Sequence, residues 1–218
     1  MNDREIRVLA GLRLEEREAG NAPMLAGYAA VFDTETDIGG FFRERIARGA
    51  FGDAISKASA DVHALFNHDS NIVLGRLKAG TLRLAEDAKG LRVEIDPPDT
   101  QDVRDLMVKM RRGDIDQMSF AFTMRGGAQR WDESQDPPVR TIEKVGELYD
   151  VSVVTRGAYP TTEVGVRSLE EHQQQRRIAG DAEADALRRR DEKIRNCQAA
   201  SARIRDERLK LRLPRSAA

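Results

Sequence analysis

Cysteine is nearly absent: the chain has one, Cys197, which excludes an internal disulfide framework and a cysteine-only zinc site and fits a reducing compartment. Aromatic residues make up only 5% of 218 positions, so a core must rest on Leu, Ile, Val, Ala and a few Phe and Met. No apolar run approaches the ~20 residues that cross a bilayer. The opening "MNDREIRVLA" is charged where a signal peptide has its apolar stretch. A soluble, cytosolic protein with no membrane partner is expected, and the length suits one domain with an appendage.

Charge, by contrast, is plentiful and unevenly spread. The net charge of −1 hides a tail, 167–218, with 14 Lys and Arg against 9 Asp and Glu, and a body, 1–166, with 22 against 28. An acidic body and a basic tail are expected to have different partners.

The body reads mainly as strands. "REIRVLAGLRL" alternates at period two and "MLAGYAAVFD" is a second strand-like run, so the two suggest an antiparallel pair. "GGFFRERIARGAFGDAISKA" gives a short extended run and then helical spacing at Phe51, Ile55 and Ala58. "DVHALF", "IVLGRLKAGTLRLAED" and "LRVEID" read as strands, with "EDAKG" as the turn between the last two and Pro97 and Pro98 ending the sheet. The clearest helix is "DTQDVRDLMVKMRRGD": Thr100 or Asp99 caps it, Val103, Leu106, Met107 and Met110 share a face, and Gly113 ends it. Strands around a helix without regular βα alternation point to an α+β or closed β architecture, not a doubly wound sheet.

From Arg167 onward the composition favours helix, with apolar residues thinly spread at Leu169, Ile178, Leu187, Ile194 and Ile204. That stripe is too sparse for an independent core. The spacing predicts a solvated or partner-dependent helix broken near "AGDAEAD"; an oligomerising coil and a removable tail are the other readings.

Three histidines limit the chemistry. His172 lies in the charged tail; His63 and His68 bracket "DVHALFNHD", and His68 falls where a strand meets a turn, held by a sheet yet able to reach a cleft. His63, His68 and Asp69 make a poor metal set, because five residues along a strand send the two imidazoles to opposite faces. In "IDQMSFAFTM" the large Met118, Phe120 and Phe122 form one face and the small Ser119, Ala121 and Thr123 the other. A serine hydroxyl becomes a nucleophile only beside a histidine that a third group orients. If 115–130 and 139–154 form one hairpin with Arg130 opposite Val139, Ser119 falls opposite Asp150. A bulge at Gly146 keeps Glu147 as the alternative acid.

Taken in order, "GYAAVFD", "FRERIARGAF", "LFNHDSNIVLGRL", "GLRVEID", "DLMVKMRRGDIDQMSFAF" and "LYDVSVVTRGAYPTTEV" resemble the prohead (capsid maturation) proteases of tailed bacteriophages, over roughly residues 4 to 166. These are serine peptidases related in fold to the herpesvirus assemblin proteases. The resemblance implies a mainly antiparallel closed or strongly curved β-sheet or barrel flanked by helices. It implies His68 as general base and Ser119 as nucleophile, with an acid directly before "VS"; the family usually has Glu there and this chain has Asp150. Where family members often read Thr-Phe-Pro-Ala, this chain has Thr155-Arg156-Gly157-Ala158. The viral fold implies oxyanion-binding N–H groups around Arg156 and Gly157.

Composition divides the chain into a domain over 1–166 and a charged helical tail over 167–218, and the resemblance implies that the tail is removed by self-cleavage. It also implies the major capsid protein and a scaffolding protein as partners, no cofactor, a site of action inside the assembling prohead in the host bacterial cytoplasm, and room for a homo-oligomer. The tail's nine acids and its lack of Trp, Tyr and Phe weigh against nucleic acid as its partner. Two other readings compete: a non-catalytic capsid-assembly protein that keeps a protease-like domain, and a cytosolic metal-binding or interaction domain. The first has no use for Ser119, His68 and Asp150 together, and the second explains none of the ordered motifs.

Overall fold

In the computed structural model, residues 4–10, 13–15, 24–155, 169–191 and 193 are described. The chain forms two units, 1–167 and 168–218. In the first unit the described elements are β1 (Glu5–Ala10), β2 (Arg13–Glu15), β3 (Met24–Val31), β4 (Thr36–Ile38), β5 (Phe42–Ile46), α1 (Gly52–Ser56), β6 (His63–Phe66), β7 (Asp69–Arg76), β8 (Leu82–Glu86), β9 (Gly90–Ile95), α2 (Gln101–Arg111), β10 (Gln117–Thr123), β11 (Ala128–Asp132), β12 (Val139–Lys144) and β13 (Glu147–Val154).

The strands make three open sheets, in the orders β1-β10-β13-β6-β7, β11-β12-β5-β4 and β2-β3-β9-β8. The architecture is α+β, as expected, but the described strands close no barrel. Nor is the pairing wholly antiparallel, since β6 runs parallel to β13 and β5 parallel to β12. The first predicted strand is in fact two: β2 pairs with β3 as expected, whereas β1 joins the other sheet beside β10. Likewise "IVLGRLKAGTLRLAED" divides into β7 and β8, which lie in different sheets across the turn at 77–80. Gly75 sits at that parting, where a Cβ would come 2.7 Å from the Thr81 carbonyl oxygen.

The alternation on β10 does what its residue sizes require. Met118, Phe120 and Phe122 are buried in the core, where Phe120 packs edge-on to Phe51 at 5.4 Å and stacks on Phe122 at 5.2 Å between ring centroids. Helix α2 buries the predicted Val103, Leu106, Met107 and Met110. Thr100 is its N-cap but makes no side-chain cap bond, and Asp99 instead pairs with Arg104. Gly113 follows the helix at φ +79°, a left-handed conformation that favours glycine. Helix α1 covers only Gly52–Ser56, so Ala58 of the predicted helical face lies beyond it.

The expected hairpin from β10 to β13 exists with two corrections. Its two halves belong to different sheets, because the chain bends at 124–127 and 145–146. At that bend Gly146 donates its N–H to the Thr123 carbonyl, and a Cβ on Gly146 would lie 2.1 Å from the Arg125 carbonyl oxygen. The register also differs by two: Arg130 pairs with Thr141, and Ser119 with Ser152, while Asp150 faces Ala121. The hairpin loop is shorter than assumed, since Asp132 still pairs with Val139. A slip of two keeps every side chain on its own face, so Asp150 stays on the side of Ser119. The expected bulge is at Tyr149, between the pairs Ala121–Asp150 and Phe122–Leu148, rather than at Gly146.

A buried four-charge cluster holds β1 to the second sheet. Arg7 reaches Glu5 at 2.7 Å and Glu44 at 2.5 Å, and Arg140 reaches Glu5 at 2.7 Å and Glu44 at 2.9 Å. All four residues are buried. Burial alone pushes the Glu5 carboxyl upward, but hydrogen bonds and charge from Arg140 and Arg7 outweigh it and hold Glu5 below the usual carboxylate range.

In the second unit, residues 169–191 form one helix, α3, which continues through "AGDAEAD" where a break was expected. A single Gly180 costs about 1 kcal/mol against alanine, which the surrounding Ala182, Ala184 and Ala186 offset. Ile178 and Leu187 are both exposed, and nine residues at 100° apiece put them on opposite faces, so no apolar stripe forms. No described helix is long and apolar enough to cross a membrane.

Candidate active site

Strand β6 ends at Phe66, and β7 begins at Asp69, so Asn67 and His68 alone make the hairpin turn. Both have left-handed backbones, φ +51° and +58°. That is the signature of the tight turn whose twist matches its flanking strands, and Asn tolerates it well. Histidine there is uncommon and carries some strain. Neighbouring strand β13 holds the turn: the Asn67 N–H donates to the Val153 carbonyl at 2.8 Å, and Asn67 Oδ1 accepts from the Thr155 N–H at 3.0 Å.

The turn aims the imidazole back over β13. His68 Nε2 lies 2.7 Å from Ser119 Oγ, and His68 Nδ1 lies 2.6 Å from Asp150 Oδ1. Three residues from a turn and two strands, 51 and 82 positions apart in pairs, therefore form one hydrogen-bonded line. Ser119 is fully buried, as is the neighbouring Ala121, so the small-residue face of β10 is covered rather than open. Asp150 keeps 4% of its side-chain surface and His68 17%. In that setting a proton on Ser119 Oγ has an acceptor nitrogen at bonding distance, and the other ring nitrogen has a carboxylate to donate to.

Of the remaining expectations, Glu147 is exposed at the start of β13 opposite Thr123 and takes no part in this line. Arg156 and Gly157 lie outside the described residues, as does the ending of the tail past residue 193. His63 opens β6, two residues after Asp61, whose carboxyl is held low, at about 2, chiefly by its hydrogen bond from Arg76. Among the described residues no group of three or more His, Cys, Asp or Glu is arranged to hold a metal ion.

Two contributors were missed in the sequence. Ser152 Oγ donates to Asp150 Oδ1 at 2.7 Å and sits 3.2 Å from His68 Nδ1. Its signal was available, since a residue two along a strand from Asp150 shares its face. Arg4 donates through Nη2 to Asp150 Oδ2 and stands 3.5 Å from His68 Nδ1. Nothing local to Arg4 announces this; only the β1–β10 register brings it there.

Comparison with curated proteins gives no match. Among solved structures the chain is similar to one described as the bacteriophage T4 capsid assembly protease, gp21, at 11% identity and a TM-score of 0.44, over 69% of this chain and 98% of that one. A family model described as caudovirus prohead serine protease matches residues 11–175. With three quarters of its length matched, the chain belongs to that family and is a serine protease of phage capsid maturation.

Proposed function

We propose that Ser119, His68 and Asp150 are the catalytic triad of an endopeptidase. Its substrates are the scaffolding protein, or a scaffold-like segment of the major capsid protein, and the protease itself. The observation that supports this reading is the unbroken line of 2.7 and 2.6 Å contacts from hydroxyl to imidazole to carboxylate. Ser119 Oγ attacks a peptide carbonyl carbon while its proton passes to His68 Nε2. Asp150 accepts the Nδ1–H bond and stabilises the imidazolium that forms. The tetrahedral adduct collapses as His68 returns the proton to the leaving amine, and water releases the acyl group by the same steps in reverse roles. Backbone N–H groups at Arg156 and Gly157 hold the oxyanion in this proposal; Arg156→Pro, which removes one of them, abolishes cleavage without unfolding the chain.

Self-cleavage separates the tail from the body. The reading places the enzyme inside the assembling prohead in the bacterial cytoplasm, with the basic tail engaging an acidic scaffold. Co-production of the chain with its cognate scaffold and capsid proteins, beside a Ser119→Ala copy, tests this. Shortened partners and a shortened protease in the native sample alone are expected, read by intact mass. Whole partners in both samples overturn the substrate assignment.

A further inference from the structure

Asp150 is bonded through both oxygens. Oδ1 accepts from His68 Nδ1 at 2.6 Å and from Ser152 Oγ at 2.7 Å, and Oδ2 accepts from the Arg4 guanidinium. We infer that Arg4 is a positioning residue of the hydrolytic site, fixing the carboxylate plane by holding Oδ2, the oxygen that the imidazole does not take. The inference rests on the triad reading above.

Two observations and one geometric argument carry it. Asp150 is 3% exposed, and a charge pair at that depth is screened far less than one at the surface. A carboxylate held through one oxygen pivots about its own bond; a cation on the second oxygen removes that freedom. Arg4 in turn has little else to hold it, for its Nε is buried without a hydrogen-bond partner and its side chain keeps 32% of its surface.

The placement of Arg4 is built into the fold. Glu5 pairs with Phe122 and Val8 with Ser119 across β1 and β10. Alternation sends Glu5 and Arg7 to the buried cluster with Glu44 and Arg140 and leaves Arg4 on the face of Ser119. The cluster anchors the strand one residue away from Arg4. Arg4 also precedes residue 11, where the family match begins.

Among the described residues, the groups within bonding reach of the His68 ring are Arg4 ahead of β1, Ser119 on β10, and Asp150 and Ser152 on β13, while its chain neighbours bond elsewhere, Asn67 to Thr155 and Asp69 to Asn71.

The test needs no identified substrate. Diisopropyl fluorophosphate reacts with an activated serine: Oγ bonds to phosphorus, fluoride leaves, and the serine proton passes to the imidazole. Its rate is measured from pH 5 to 9 on full-length wild type, Arg4→Gln, Arg4→Lys and Ser119→Ala, with folded fraction followed by circular dichroism. The expected result is labelling of wild type only where Ser119 is present. In Arg4→Gln the plateau rate falls roughly tenfold while the folded fraction holds. Arg4→Lys recovers part of that rate, since the charge remains, but not all of it, since a single ammonium fixes the carboxylate less well; it decides the matter if Arg4→Gln does not fold. An Arg4→Gln profile identical to wild type, or a loss that merely follows the unfolded fraction, overturns the role of Arg4 alone, as does full plateau rate in Arg4→Lys. An unlabelled wild type overturns the triad reading and this inference with it.

Discussion

Ser119 and Ser152 stand opposite each other in the β10–β13 ladder, and their hydroxyls approach one imidazole from its two nitrogens, at 2.7 Å from Nε2 and 3.2 Å from Nδ1. Only the first sits on the side away from the carboxylate. Ser152 bonds Asp150 Oδ1 as well, so it braces the carboxylate, while Ser119 Oγ faces the opposite ring nitrogen.

Ser152→Ala removes one donor to Asp150 and leaves the line from Ser119 through His68 to Asp150 complete. Labelling by a fluorophosphonate is expected to slow roughly tenfold, and stability to fall by about 1 kcal/mol, since a buried hydrogen bond is lost. Urea denaturation and the labelling rate together check this; a variant as fast as wild type removes Ser152 from the account.

The two candidate acids are separated by paired substitutions. Asp150→Asn keeps the shape but presents an amide to His68 Nδ1, disturbing its tautomer, and activity is expected to drop by about 10³ to 10⁴. Glu147→Gln, at an exposed position outside the hydrogen-bonded line, leaves activity within about twofold. The ratio of labelling rates for the two variants measures the assignment.

The buried cluster predicts a pH dependence of stability. Burial raises the Glu5 carboxyl, but Arg140 and Arg7 more than reverse this, so it lies below the usual carboxylate range. A depressed carboxyl stabilises the fold above the unfolded value and loses that contribution as pH falls through the folded one. Glu5→Gln is therefore expected to cost about 3 kcal/mol at pH 7 by leaving Arg140 under-paired. Its stability should also fall less steeply than wild type below pH 4.5. Urea midpoints at pH 7 and pH 3.5 measure both effects.

Two glycines predict opposite signs. Gly146→Ala brings a Cβ against the Arg125 and Thr123 carbonyl oxygens, at 2.1 and 3.0 Å, where the hairpin bends. Since both are backbone, about 2–4 kcal/mol is lost and the strand carrying Asp150 shifts. Gly180→Ala meets open space within α3, and the helix gains about 0.5–1 kcal/mol. Thermal melts of the two variants read the contrast.

Much of the site was legible because its members sit in strongly patterned segments. The face division of Met118, Phe120 and Phe122 from Ser119 follows from side-chain size at period two, and a register error of two preserves it. The open three-sheet arrangement was not legible, because which strand pairs with which depends on bends such as the one at Gly146 and on buried charges joining Arg7 to Glu44 across 37 residues. Those charges read locally as a solvated face. Arg4 was invisible for the same reason: its partner lies 146 positions away.

The most direct test of the central claim is whether Ser119 is an activated nucleophile. Full-length wild type and Ser119→Ala are treated with diisopropyl fluorophosphate at pH 8, and the adduct is located by peptide mass mapping. One adduct per chain on Ser119, absent from Ser119→Ala and lost in His68→Ala, is the predicted result. An unmodified Ser119 in folded wild-type protein, or equal labelling of Ser119→Ala elsewhere, contradicts the account.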